Sequence, residues 1–374
     1  MTETNLPWIE VYGHGGDIET AAARFGQRAE AILDYSANIN PLGPPAEVIA
    51  ALQDGLGAVI RYPDPGHRRF KAMLAEHLGT RPDNILVGNG AAECMALLLL
   101  ALKPGIVGVV DPCFSEYREL ALKFGADIRS VTGEKERAWR ASPRRIMELF
   151  SDCDLVFLGQ PNNPNGVQYS LEDIRAIAGE AQRQGTWLVL DEAFMDFIPL
   201  AERQTLLPEL SSYSRTVIIR SMTKFYAIPG LRLGYAVGHP DVIRSMSAKQ
   251  VTWSVNGLAL MAGEACLRSG SEYERRTLEL IHGERLRLIE GLQALGVDVT
   301  PGEVNYLLGE LPAGWTAAAF QAEMGRRGVL IRSCAMYPGL GERHFRLAVK
   351  DAESNIRLLQ TAAEVLQGST RPEV

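Results

Sequence analysis

The chain reads as an α/β protein: a mostly parallel sheet covered on both faces by helices, followed by a smaller α+β part. Three observations predict this. Short apolar, β-branched runs alternate with helix-length segments from Ile85 to Ile219, and strands joined through helices pair in parallel. After Val237 the alternation stops, and helical stretches come first with strand-like runs behind them. The 374 residues, 46% of them hydrophobic, suffice for a large core and exceed one ordinary domain.

The first 45 residues are a poorly periodic arm. A histidine between glycines, Gly13-His14-Gly15, suggests close backbone approach to another group. A short helical pattern follows over 18–25. The stretch L-D-Y-S-A-N-I-N-P-L-G at 33–43 clusters Asn, Pro and Gly and reads as a loop. Helix patterns cover 46–56 and 67–78, separated by the rigid turn R-Y-P-D-P-G; in the second, Phe70, Met73, Leu74 and Leu78 share a face.

Strand patterns then fall at 85–87, 107–110, 127–131, 155–158, 187–190 and 217–219. Helix patterns fall at 91–102, 115–124, 143–150 and 171–183. A further strand pattern covers 233–237. Beyond it come helices at 241–246, 257–268, 272–295, 316–327 and 353–366, with strands at 306–309, 329–331 and 345–349. The expected division is an arm over 1–45, a large domain over 46–255, and a small domain over 256–374 that begins with the long helix linking the two.

Composition excludes several classes. A net charge of -7 and the lack of a dense Lys/Arg run argue against a nucleic-acid surface. Five scattered cysteines without a C-x-x-C read as reduced thiols, not as a metal site. The N-terminus has no signal architecture, and the most apolar stretch, 91–102, is too short to span a bilayer. A cytoplasmic protein that engages no membrane is expected.

Three stretches carry chemistry. S-M-T-K-F-Y-A-I-P-G-L-R follows a buried strand and offers Lys224, with Ser221, Thr223 and Arg232 around it. Partial desolvation lowers a lysine's pKa and exposes the lone pair that attacks an aldehyde. Hydroxyls and an arginine hold phosphate. Asp191 ends the apolar run T-W-L-V-L-D, where open α/β sheets place their ligands. G-N-G-A-A-E at 88–93 joins a strand to an apolar helix, so backbone N–H groups can approach an anion. An amine for an aldehyde, a carboxylate for a ring nitrogen and a phosphate cradle together describe pyridoxal phosphate.

The ordered motifs G-N-G-A-A-E, P-N-N-P-N-G, D-E-A-F and S-M-T-K with Arg232 resemble the aspartate aminotransferase superfamily, fold type I, over nearly the whole chain. The resemblance implies a seven-stranded-type sheet, an N-terminal arm that joins the small domain, and pyridoxal 5′-phosphate as cofactor. It implies that Lys224 bonds the cofactor's aldehyde and that Asp191 pairs with the ring nitrogen. Asn163 would donate to the phenolic oxygen, and Phe114 would lie against the ring. Ala91, Ala92, Ser221, Thr223 and Arg232 would surround the phosphate. Tyr62, in R-Y-P-D-P, would reach the neighbouring subunit's site in a homodimer. Phe194 departs from the pattern, because many relatives have a tyrosine there.

R-Y-P-D-P resembles the histidinol-phosphate aminotransferase branch. The arm, with H-G-G-D and L-D-Y-S-A-N-I-N-P-L-G, is similar instead to the threonine-phosphate decarboxylase family of cobalamin biosynthesis. That likeness implies a phosphorylated amino-acid substrate held by His14, Gly15, Asn38, Asn163, Arg332 and Arg346, and release of carbon dioxide rather than amino transfer. No metal is implied.

Overall fold

The computed structural model describes residues 15–368. They divide into two compact units. The larger comprises Leu42–Asn163 with Val167–Leu278; the smaller takes in the N-terminal stretch up to Pro41, the segment Pro164–Gly166, and the chain from Glu279 onward.

A seven-stranded sheet forms the centre of the larger unit. Its order is Ile85–Gly88, Gly234–Val237, Thr216–Ser221, Trp187–Asp191, Leu155–Gly159, Ile106–Asp111, Asp127–Thr132. All neighbours pair in parallel except Gly234–Val237, which runs antiparallel to both its partners. The expected mostly parallel sheet is therefore present. The exception follows from the short return after Ser221, which holds no crossover helix of the length that a parallel connection needs.

The middle strands are buried and mostly apolar because helices cover both faces: every residue of Leu155–Gly159 is buried. The edge strand Asp127–Thr132 has no buried residue and carries polar side chains. Helix Leu171–Gln184 shows how the local sequence builds a covering element. Ser170 caps its N-terminus by accepting from Asp173 N–H, and Gly185, at φ 78, ends it in the left-handed region. Between them Ile174, Ile177, Ala178 and Ala181 recur at helical spacing and are all buried.

The smaller unit holds a four-stranded antiparallel sheet in the order Arg332–Ser333, His344–Ala348, Tyr306–Glu310, Asp298–Thr300. Beside it, Leu33–Asp34 pairs in parallel with Val329–Leu330. Helices Ile18–Phe25, Ala317–Arg326 and Ala352–Gln367 complete the unit.

Four features differ from the pattern reading. The stretch at 33–43 opens with a strand, which two residues are too few to announce. The run 329–331 is not one strand: Val329–Leu330 joins the two-stranded ladder, and Arg332–Ser333 joins the larger sheet. The strand Asp298–Thr300 passes unnoticed because its aspartate and threonine mask the alternation. The division between units falls between Leu278 and Glu279, inside helix Gly270–Ala294, so helix Gly257–Arg268 belongs to the larger unit; the change of pattern placed it after 255. Among the described residues no helix is long and apolar enough to cross a membrane.

Candidate active site

The larger unit places its chemistry-bearing residues along one row of strand ends. Pairing aligns Gly88 with Gly234, Gly234 with Ser221, Ile219 with Asp191, and Asp191 with Gly159. The carboxyl ends of parallel strands are where open α/β sheets gather ligands.

At one end of the row lies a cradle for an anion. Helix Ala91–Leu102 begins at Gly90 with no side-chain cap, so the first N–H groups, those of Ala91 and Ala92 included, have no partner within the helix. Gly90 sits at φ 85, and a Cβ there would lie 2.5 Å from an Arg232 Nη. The guanidinium thus lies over the glycine, whose positive φ is one that residues with a side chain rarely adopt. Arg232 itself takes the left-handed conformation, φ 57, uncommon for a residue with a side chain. A Cβ on Gly234 would stand 2.5 Å from Ala91 N, so that strand passes close under the helix start. The Ser221 and Thr223 hydroxyls are 2.8 Å apart. Lys224 Nζ donates to Ser221 Oγ at 3.2 Å.

Asp191 is buried at the end of its strand. Burial pushes its carboxyl pKa up; the Tyr117 hydroxyl, the Ala193 N–H and the charge of Lys224 oppose that shift. Tyr117 Oη donates to Asp191 Oδ2 at 2.6 Å, and Ala193 N–H donates to Oδ1 at 3.0 Å. Phe114 precedes helix Ser115–Lys123, and its ring meets Tyr117 edge-on at 5.7 Å. Asn163 is buried in the loop after Leu155–Gly159. Its neighbour Asn162 donates to the Pro112 carbonyl at 2.9 Å, which ties that loop to the Phe114 segment. Phe194 is buried and its ring lies 6.4 Å from that of Phe197.

Behind this row stands a buried ion pair that pattern reading missed. Arg220 donates through Nε and Nη2 to Glu192 Oε2 at 2.9 and 2.7 Å, and Thr205 donates to Glu192 Oε1 at 2.6 Å. Glu192 adjoins Asp191 and Arg220 adjoins Ser221, so the pair joins two adjacent strand ends. The available signal was a charged residue closing the apolar run T-V-I-I-R. Tyr117 was also missed, since a tyrosine within a helix pattern carries no mark of its own.

The smaller unit gathers a second set. A Cβ on Gly15 would lie 2.2 Å from the Ser36 carbonyl oxygen, and Gly16 N–H donates to Ser36 Oγ at 2.8 Å. The glycines of H-G-G are thus required for the arm to lie on the S-A-N loop. Arg346 donates to that same Ser36 carbonyl at 2.7 Å, and Asn305 Nδ2 donates to the Asn38 carbonyl at 3.0 Å. Arg332 and Arg346 are direct ladder partners on antiparallel strands, so both side chains leave the same face. They are 1% and 6% exposed. Arg346 lies 5.6 Å from the Tyr306 ring centre and Arg332 lies 6.0 Å from that of Tyr337. His14 lies outside the described residues.

Tyr62 belongs to neither set. It is 79% exposed and stacks on Trp253 at 4.4 Å.

The donor set of the larger unit fits pyridoxal 5′-phosphate. An uncapped helix start with an arginine and two hydroxyls suits a doubly charged phosphate. A buried carboxylate that accepts from two donors suits a protonated ring nitrogen. A half-buried amine beside them suits an aldehyde.

Comparison with known proteins agrees with this fit. Residues 30–366 match the family described as aminotransferase class I and II. The chain is 39% identical over 357 residues to a threonine-phosphate decarboxylase of Salmonella typhimurium, covering 95% of this chain and 97% of that one. The crystal structure of a histidinol-phosphate aminotransferase from Clostridium acetobutylicum superposes with a TM-score of 0.84 at 30% identity, covering 90% of this chain and 99% of that one. The Sinorhizobium meliloti histidinol-phosphate aminotransferase, in complex with pyridoxal-5′-phosphate, shares the fold with a TM-score of 0.86 at 22% identity, covering 94% of this chain and 95% of that one. This chain belongs to the aminotransferase class I and II family, and its cofactor is pyridoxal 5′-phosphate.

Proposed function

We propose that this enzyme removes carbon dioxide from L-threonine O-3-phosphate and yields (R)-1-amino-2-propanol O-2-phosphate, a precursor for cobalamin. The observation that carries the reading is the pairing of Arg332 with Arg346. Two buried guanidiniums at paired ladder positions leave the same face, and a dianionic phosphate can accept from both. The docking of Gly15 and Gly16 on Ser36, whose carbonyl also holds Arg346, ties the arm motif to the same cluster. The likeness to the Salmonella decarboxylase supports the choice of reaction.

When bound, pyridoxal 5′-phosphate supplies a ring that accepts the electron pair left by a bond broken at Cα. The protein's residues do the rest. Asp191 keeps the ring nitrogen protonated, Asn163 donates to the phenolic oxygen, and Phe114 covers one face. Ala91, Ala92, Ser221, Thr223 and Arg232 hold the cofactor phosphate. Arg332 and Arg346, with His14, Gly15, Asn38 and Asn163, hold the substrate. When the arginines take the substrate's phosphate, its carboxylate is left to orient as the leaving group. The Cα–carboxylate bond breaks, carbon dioxide departs, and Lys224 Nζ delivers a proton to Cα.

A second reading, amino transfer to or from histidinol phosphate, is favoured by the likeness to the Clostridium enzyme. There the arginines hold the phosphate of histidinol phosphate, or a carboxylate of the 2-oxo acid that takes the amino group, and the Cα proton leaves instead. One assay separates the two: carbon dioxide release from L-threonine O-3-phosphate without a 2-oxo acid, against 2-oxoglutarate-dependent turnover of histidinol phosphate. Turnover of the second kind alone overturns the decarboxylase.

The enzyme works as a homodimer in this reading. Leu56, Val59, Ile60 and Tyr62 in one segment and Val251 and Trp253 in another are exposed large side chains, and the stack of Tyr62 on Trp253 joins the two segments into an apolar strip of the kind that marks an interface. Tyr62 would reach the phosphate of the neighbouring site. Five free, buried cysteines suit the reducing cytoplasm.

A further inference from the structure

Asp191 has a task that its own chemistry opposes. It must remain an anion in a place that water does not reach. An isolated buried carboxylate takes up a proton, or takes one from its partner. Two donors oppose this. One is a backbone N–H, that of Ala193, which any residue at that position would provide. The other is a side chain, the Tyr117 hydroxyl, at 2.6 Å from Oδ2. That distance is in the range of charge-assisted O–H···O⁻ bonds, the strong class.

Tyr117 is itself held from several sides. It is 1% exposed, and its ring lies nearly parallel to that of Phe157, centres 4.9 Å apart and planes 6° apart. Its edge meets Phe114, the residue assigned to the face of the cofactor ring. Phe157 lies on strand Leu155–Gly159, directly paired with the strand that carries Asp191. The hydroxyl is therefore aimed by two aromatic contacts and has little freedom to turn away.

We infer that Tyr117 is a positioning residue that keeps the proton shared by Asp191 and the cofactor's ring nitrogen on the nitrogen. A donor to the carboxylate makes it a weaker base. Without that donor, Asp191 draws the proton off the ring, and the ring becomes a poorer electron acceptor. The inference rests on Asp191 being the partner of the ring nitrogen. It is independent of the choice between decarboxylation and amino transfer, since both need a protonated ring.

The test uses holoenzyme loaded with pyridoxal 5′-phosphate labelled with nitrogen-15 in the ring. In Tyr117→Phe the stack on Phe157 is kept and only the hydroxyl is lost. The ring-nitrogen resonance should move toward the value of an unprotonated pyridine, and kcat should fall roughly tenfold to a hundredfold, the usual weight of one hydrogen bond to a charged group, while KM changes little. An unmoved resonance overturns the inference, whatever the rate does, because loss of packing alone weakens cofactor binding without moving that proton. If Tyr117→Phe fails to fold, 3-fluorotyrosine at position 117 keeps the shape and donates more strongly. The resonance should then move the opposite way, and no movement again overturns the inference. Asp191→Asn is the control on the premise. If its resonance matches that of the unsubstituted enzyme, Asp191 is not the nitrogen's partner and the assignment of the site fails. If it moves while Tyr117→Phe does not, only the role of Tyr117 fails.

Discussion

The two units solve opposite electrostatic problems. In the larger one, each buried acid described above comes with its complement: Glu192 with Arg220 and Thr205, Asp191 with Tyr117, Ala193 and the nearby charge of Lys224. In the smaller one, two arginines of like charge face each other across a ladder, and the contacts described for them are with uncharged groups. These are the Ser36 carbonyl and Tyr306 ring for Arg346, and the Met336 sulfur and Tyr337 ring for Arg332. The first arrangement is preorganised around a resident cofactor that stays through every turnover. The second presents two guanidiniums on one face, the donor set proposed above for the substrate's phosphate. Substitutions should therefore separate the two units by what they damage.

The largest effect is expected at Lys224. Lys224→Ala should fold and still bind arginine-held anions, yet lose the visible absorbance of the bound cofactor and at least about 10⁴ of the turnover, since nucleophile and proton donor vanish together. Retained colour and activity would sink its assignment.

Next comes the brace behind the site. Glu192→Ala leaves Arg220 buried without its main counter-charge, and breaking a buried pair costs roughly 3–5 kcal/mol. A thermal melt should show a large loss of stability with and without cofactor. A melt like that of the unsubstituted enzyme would mean that Asp196, 3.5 Å from Arg220, takes over.

The smaller unit should respond in ligand binding. Arg332→Met removes one of the two guanidiniums that leave one face of its ladder. The stabilisation that inorganic phosphate gives the unsubstituted enzyme should disappear. Arg346→Lys should raise the substrate KM roughly tenfold to a hundredfold, the weight of a charged hydrogen bond, and leave the cofactor's dissociation constant alone, because lysine lacks the bidentate fork. Equal losses of substrate and cofactor binding would erase the contrast drawn between the units.

That contrast also explains what was legible in the sequence. The larger unit's residues sit at the ends of short apolar runs, and each run announces the residue that closes it. Asp191 and Ser221 are readable because apolar residues precede them, and Ala91 because a glycine turn precedes a helix pattern. Tyr117 is not readable, because its partner lies 74 residues away and its own segment looks ordinary; Thr205 is not readable, because it lies outside any periodic run even though Glu192 is only 13 residues before it. In the smaller unit, Arg332 and Arg346 stood out as charges at strand edges, but their direct opposition did not. It depends on the run at 329–331 giving way to a separate strand at Arg332, and that break depends on Leu33–Asp34, almost a chain length away, taking Val329–Leu330 into another ladder. No local periodicity carries that information.

The smallest effect tests the edge of the cofactor site itself. Phe194 follows Ala193, whose N–H holds Asp191, and its buried ring packs beside Phe197. Many relatives by motif have a tyrosine there that donates to the cofactor's phenolic oxygen, and phenylalanine cannot. With Asn163 as the side-chain donor assigned to it, that oxygen is the more basic and holds its shared proton to higher pH. Phe194→Tyr adds a donor, stabilises the deprotonated oxygen, and should lower the midpoint of the pH titration of the visible absorbance. One hydrogen bond to a charged group contributes roughly 1.5–3 kcal/mol, and a unit of pKa is about 1.4 kcal/mol. Some of this is lost because the surrounding aromatic packing was not shaped for a hydroxyl, and burying one imperfectly paired is costly. A fall of about one unit is the expected result. An unchanged or higher midpoint would mean that position 194 faces away from the phenolic oxygen, and the alignment of D-E-A-F with the family motif would have to shift.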